Sequence, residues 1–180
     1  MISNGKFYES QFEEATIELL REAHWQYAFG DDIHRKYTDP LIEEDLRNFL
    51  AVQYKDKNLT TSEMDSIVAN LRNTGGQNDY YALRNTFLLY RDGYDFAYSD
   101  GRSNPFRLEY IDFEHPVHNI FRCVNQFVME QGRENRRPDI LLFINGIPVC
   151  IIELKNPTKQ NATIHDAHTQ ICTRYMRDIP

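Results

Sequence analysis

Two apolar segments, residues 139–144 and 149–155, stand on either side of Asn145-Gly146. Asn-Gly accepts positive φ at both centres of a tight hairpin turn, so the chain must fold back here and lay two strands side by side. Asp139, Glu153 and Lys155 sit within those segments. Alternate side chains of a strand share a face, so Glu153 and Lys155 project together while Leu154 points into the core. Charges set inside Ile-Leu-Leu-Phe and Val-Cys-Ile-Ile are costly unless paired or metal-bound. Two carboxylates at one end of such a sheet suit a hard divalent cation, and Mg²⁺ fits because it takes few protein ligands and keeps several waters.

A shared site sets a condition on the hairpin. With a regular two-residue turn, Ile144 pairs with Ile147, Asp139 then faces Ile152, and Glu153 points to the opposite side of the sheet. The two acids can meet only if the loop has odd length, as in a three-residue turn with Gly146 left-handed, if a bulge intervenes, or if the chain bends near Pro138. Pro148, which cannot donate to a ladder, suits a distorted strand.

The rest of the chain divides in texture. Phe12, Thr16, Leu19, Leu20 and Ala23 recur at helical spacing and predict an amphipathic helix over residues 8–24. Asp39-Pro40 reads as the entry of a second helix reaching Tyr54, with Leu46, Phe49 and Leu50 inward. Thr60 and Glu63 form a capping box for a third, stopped by Gly75-Gly76. A fourth covers residues 79–90 and ends at Asp92-Gly93. Strands are expected at 94–98, 106–112, 121–129, 139–144 and 149–155. Asn156-Pro157 stops the last, and residues 162–177 form a helix with Ile164, Ala167, Ile171 and Tyr175 in one stripe. Helices, an antiparallel meander and a closing helix make an α+β fold with one core, helical over about 8–92 and sheet-rich over about 93–180.

At 180 residues and 41% hydrophobic content the chain is sized for one domain. Its longest apolar run is six residues with a proline inside, and Glu9, Glu13, Glu14 and Glu18 fall in the first twenty, which argues against a membrane span or a secretory signal. Cys123, Cys150 and Cys172 read as reduced thiols of a cytoplasmic protein. The net charge of −7 disfavours a dedicated duplex binder, but residues 133–180 hold seven basic and five acidic groups, so a weakly basic surface is confined to the last quarter, where charge permits DNA contact without requiring it. His165 and His168 read as surface histidines, and His115 and His118 carry no clear signal.

The string Arg-Pro-Asp-Ile-Leu-Leu-Phe-Ile-Asn-Gly-Ile-Pro-Val-Cys-Ile-Ile-Glu-Leu-Lys-Asn-Pro, residues 137–157, resembles the PD-(D/E)xK nucleases. It is most similar to the N-terminal nuclease domain of the restriction subunit of type I restriction and modification enzymes. The early helix followed by Trp25, the Asn125-Gln126-Phe127 stretch, and Gln170 with Tyr175 agree with that family. The resemblance implies a restriction-endonuclease-like core with a central mixed, largely antiparallel sheet flanked by helices, and Mg²⁺-dependent cleavage of double-stranded DNA. It makes Asp139 and Glu153 metal ligands, the backbone oxygen of Leu154 a third, and Lys155 the group that orients or activates the attacking water. Gln170, Tyr175 and Glu13 would support the site. Phosphate contact would fall to Arg136 and Arg137, and to Arg174 and Arg177 on one face with Gln170.

The family joins this nuclease to an ATP-driven motor, yet the sequence has no Gly-x-x-x-x-Gly-Lys-Ser/Thr loop, so ATP would act only through a motor domain outside it. The chain is therefore expected to be a fragment of a larger subunit that works with modification and specificity subunits and no membrane. Two other readings compete: a non-catalytic docking module of the same subunit, and a stand-alone repair nuclease of the same superfamily.

Overall fold

The computed structural model describes residues 9–74, 79–155 and 164–175. Its helices are α1 (Glu9–Glu22), α2 (Glu43–Gln53), α3 (Thr61–Arg72), α4 (Asp79–Asp92) and α5 (Ile164–Thr169). Its strands are β1 (Gln26–Phe29), β2 (Tyr94–Phe96), β3 (Phe106–Leu108), β4 (Phe121–Asn125), β5 (Met129–Gln131), β6 (Glu134–Arg136), β7 (Ile140–Ile144) and β8 (Ile147–Ile152). A π-helical segment, Gln170–Tyr175, continues α5. Helices and a mixed, mostly antiparallel four-stranded sheet make this an α+β fold. The backbone divides into two compact units, one of residues 1–41 with 121–180 and one of residues 42–120, so the division does not follow the helix-to-strand change near residue 92.

The first unit is built on the sheet β1-β4-β7-β8. β1 runs parallel to β4, and β4–β7 and β7–β8 are antiparallel. β1 escapes a pattern search because its four residues, Gln26-Tyr-Ala-Phe29, show no apolar alternation. Its place is set by what precedes it. His24 takes a left-handed φ of 67°, and its N–H and that of Trp25 donate back to Arg21 and Leu20, which closes α1 and aims the chain into the sheet. The Trp25 ring then packs 5.2 Å from Phe121 at the start of β4. Val124, Phe127, Ile140, Phe143 and Ile147 are fully buried around the sheet.

The long strand expected over 121–129 is broken. Gln126 has φ 56°, which ends β4, and Met129 starts the short β5–β6 hairpin instead. The Arg35 guanidinium stacks 3.4 Å from the Phe127 ring centre and donates to the carbonyls of Lys36, Asp39 and Val128, fastening this bend. Burial lowers its pKa to about 10, which still leaves it charged at neutral pH.

The second unit holds α2, α3, α4 and the β2–β3 hairpin around Leu46, Leu50, Ile67, Val68, Leu108 and Tyr110. α3 begins with the expected capping box, in which Thr60 and Glu63 each satisfy the other's backbone N–H. α2 starts at Glu43, later than Pro40 suggested, because the Asp39 carboxylate accepts the Leu41 N–H in a turn of its own. The strands expected at 94–98 and 106–112 shorten to three residues each.

The closing helix is shorter than the stripe implied. Ile164 is exposed, α5 has six residues, and from Gln170 the turns widen to i→i+5 bonding. Gly75-Gly76, Asn156-Pro157 and Arg177 lie outside the described residues.

Candidate active site

The β7–β8 hairpin meets the condition its sequence sets. Asn145 and Gly146 have φ of 52° and 75°, the signs of a two-residue type I′ turn, and Ile144 pairs with Ile147. Phe143 still pairs with Pro148, but Leu142 pairs with Cys150, so Val149 has no cross-strand partner. It is a β-bulge at the proline, where no ladder N–H is available to lose. Beyond it Leu141 faces Ile151 and Ile140 faces Ile152, one residue out of step with a regular hairpin. Continued one residue past the ends of the two strands, that register sets Asp139 opposite Glu153, the arrangement a plain ladder forbids.

Contacts at this end follow from that register. The Asp139 carboxylate accepts the Leu154 N–H at 2.7 Å, which pins the strand between Glu153 and Lys155. The Glu153 side chain is 1% exposed, and Lys155 Nζ lies 3.5 Å from its Oε2. Gln170 Nε2 donates to the same oxygen at 2.9 Å. Gln170 is the first residue of the π segment, so the wide turn begins where the helix meets the acid.

Glu13 stands on α1, half-buried, and its Oε1 accepts both Asn125 Nδ2 and Gln126 Nε2 at 3.0 Å. Asn125 in turn accepts the Tyr27 hydroxyl at 2.9 Å, and partial burial together with the Glu13 charge raises the Tyr27 pKa. Gln126 also donates its backbone N–H to the Asp139 carbonyl at 3.1 Å. Glu13 is thus one amide away from the chain at Asp139. Gly30 permits this, since a Cβ there would stand 2.4 Å from the Gln126 carbonyl oxygen. The Asn125-Gln126 pair stood out in the sequence, but its bond to Glu13 spans more than a hundred residues and has no local signature.

The arginines are less gathered. Arg136 bonds Glu134 and the Asn135 carbonyl along its own strand. Arg137 and Arg174 are exposed. Four-residue spacing no longer completes a turn where hydrogen bonds span five, so the face shared by Gln170 and Arg174 is not that of an α-helix. Tyr175 ends the π segment.

The donor set suits a hard cation. Asp139, Glu153 and the Leu154 carbonyl offer only oxygen, as Mg²⁺ requires, and a nearly buried carboxylate beside a second acid gains from a cation between them.

The sequence pattern of the family described as type I restriction enzyme R protein N terminus matches residues 6–180. The chain is 31% identical over 176 residues to the type I restriction enzyme HindI endonuclease subunit of Haemophilus influenzae, covering 92% of this chain and 16% of that protein. It is also 31% identical over 176 residues to the type I restriction enzyme MjaIXP endonuclease subunit of Methanocaldococcus jannaschii, covering 93% of this chain and 17% of that one. The chain therefore spans about one sixth of the length of these relatives.

Proposed function

The chain belongs to the family of type I restriction enzyme R protein N termini, and from that premise we propose that it is the Mg²⁺-dependent endonuclease module of such an enzyme, cleaving double-stranded DNA. The observation that carries this reading is the bulge at Val149, which sets Asp139 opposite Glu153 with Lys155 beside them. Nothing in hairpin folding requires an unpaired residue there, and without the shift the acids would lie on opposite faces.

Asp139 and Glu153 would hold the ion, with the Leu154 carbonyl as third ligand. When bound, the ion supplies a lowered pKa for an attached water and positive charge against the phosphodiester oxygens. The other steps belong to side chains. Lys155 keeps its ammonium against Glu153 and can orient the attacking water through Nζ–H donation, then offset charge that builds on the phosphorus oxygens. Gln170 fixes the Glu153 oxygen it donates to, so the carboxylate keeps one orientation. Glu13 and Gln126 brace the backbone at Asp139. Exposed Arg137 and Arg174, with Arg136 and Arg177, would meet phosphates.

The module would be joined to an ATP-driven motor in the rest of the subunit and assembled with modification and specificity subunits in the cytoplasm. No described helix is long and apolar enough to cross a membrane. The test is made in the assembled enzyme. Asp139→Ala, Glu153→Ala and Lys155→Ala each abolish DNA cleavage and leave ATP hydrolysis largely intact. Cleavage that survives all three would mark the domain as a docking module instead.

A further inference from the structure

The second unit contains a cluster that the nuclease reading leaves unused. Asp112 is buried at 5% exposure, and its carboxylate accepts the His115 N–H at 2.7 Å and the Gln53 amide at 3.2 Å. Asn119 closes the same loop by accepting the Asp112 N–H and donating to the Asp112 carbonyl, at 2.9 and 2.8 Å. A short 3₁₀ turn, Pro116–His118, lies between. The carboxylate is therefore fixed in place by backbone and amide donors.

Two imidazoles converge on it. His118 Nδ1 lies 2.9 Å from one carboxylate oxygen and His115 Nδ1 lies 3.8 Å from the other. The rings stack 24° from parallel with centres 5.2 Å apart. One imidazole would be enough to pair an acid already served by two N–H donors. The second ring is mostly exposed and free to face water, yet it turns the same nitrogen inward at a distance too long for a hydrogen bond. Ligands about 2.0–2.2 Å from a tetrahedral ion stand roughly 3.3–3.5 Å from one another. One ligand atom from each of the three residues lies within 4.8 Å of the other two, so small rotations of the exposed imidazoles bring the set to that spacing.

We infer that Asp112, His115 and His118 form a site for a borderline divalent transition ion of the Zn²⁺ type. Two imidazole nitrogens and one carboxylate oxygen, with a fourth position open to water, are a donor set that zinc takes and that Mg²⁺, which prefers oxygen alone, does not. Among the described residues this is the one group of three such ligands close enough to share an ion. The ion would tie the 3₁₀ turn to the buried carboxylate, and the site is independent of the Asp139 cluster.

Co²⁺ serves as a spectroscopic probe. Metal-stripped full chain, titrated with Co²⁺ in excess Mg²⁺ to fill oxygen-only sites, should develop tetrahedral d–d absorption that saturates at one equivalent and is displaced by Zn²⁺. His115→Ala/His118→Ala should weaken binding by more than about a hundredfold, beyond the usual cost of disturbing an outer-shell partner. Both side chains are more than half exposed, so this variant keeps its fold, checked by circular dichroism. Asp112 is left intact because its carboxylate also holds the loop. His165→Ala/His168→Ala, which alters the other stacked histidine pair, should bind Co²⁺ as the parent does. No saturable binding by the parent, or equal binding by His115→Ala/His118→Ala, overturns the assignment.

Discussion

The carboxylate of Asp139 accepts the backbone N–H of Leu154 across the β7–β8 hairpin at 2.7 Å. That one bond fixes the segment carrying Glu153 and Lys155 against the start of the neighbouring strand. It can form only because Val149 drops out of the ladder, shifting every pair beyond it by one residue. The register of a hairpin, normally a matter of stability, here decides which side chains can share a site.

Two single-residue changes in β8 should therefore have opposite effects. Deleting Val149 removes the unpaired residue and leaves a plain ladder in which Asp139 still faces Glu153, so cleavage by the assembled enzyme persists. Inserting one alanine between Ile151 and Ile152 keeps turn and bulge but sets Asp139 opposite Ile152, and cleavage is lost while circular dichroism shows the sheet intact. Loss of activity in both variants would mean that the bend at the bulge, and not the pairing, positions the acids.

The hairpin was legible because its signals are local: Asn-Gly, two apolar runs and a proline, and counting along them showed that a shared site for the two acids needs a distortion of the plain ladder. The sequence did not say which of the possible distortions would occur, since a bulge, a longer turn and a bend near Pro138 all satisfy the same count. The capping box at Thr60 and Glu63 was readable for the same local reason. β1 was not, because a parallel edge strand of four residues is held by its neighbour β4 and has no pattern of its own. The Glu13 amides arise from contacts made in space, beyond any spacing rule, whereas Asp112, His115 and His118 lie three residues apart in one loop, a spacing that signals nothing until the turn between them is known. Pro40 misled because a good first-turn residue is equally at home in the turn that Asp39 caps.

Gln170 supplies a measurable part of the site's stability. Its amide donates to a carboxylate that is almost fully buried, and hydrogen bonds to charged groups contribute about 1.5–3 kcal/mol. Gln170→Ala should lower the unfolding free energy by an amount in that range, read by urea denaturation in the absence of metal. Gln170→Glu should cost more, because a second carboxylate replaces a donor. Equal stability of all three proteins would show that Glu153 does not depend on this bond.

The second unit carries its own acid sensitivity. Arg102 pairs with both oxygens of Glu63, and the capping contacts of Thr60 add to it, holding the Glu63 pKa at about 2 against an ordinary 4.5. A carboxylate whose folded pKa is depressed stabilises the protein above its ordinary pKa and loses that contribution as pH falls toward the folded value. Stability should thus decline between about pH 4.5 and pH 2, with the Glu63→Gln variant starting lower at neutral pH and losing less across the same window. Parallel pH profiles for the two proteins would contradict the assignment.

Gly30 gives the last prediction. It lies between β1 and the loop before α2, and the Gln126–Phe127 backbone passes so close that a Cβ would stand 2.4 Å from one atom and 2.9 Å from another. The three nearest atoms are all main chain, so the closest clashes cannot be relieved by a side chain swinging aside. Gly30→Ala must push the bend at Gln126 outward, and forcing a methyl into such a space costs about 1–3 kcal/mol. The displacement also reaches the site, because Gln126 holds Glu13 with its side chain and the Asp139 carbonyl with its N–H. The variant should show a lower thermal midpoint and reduced cleavage together. Gln126→Ala, which keeps the backbone bond and removes only the hold on Glu13, should lower cleavage less than Gly30→Ala does. A Gly30→Ala protein with the parent's midpoint and rate would mean that the backbone at Gln126 moves without consequence for Asp139.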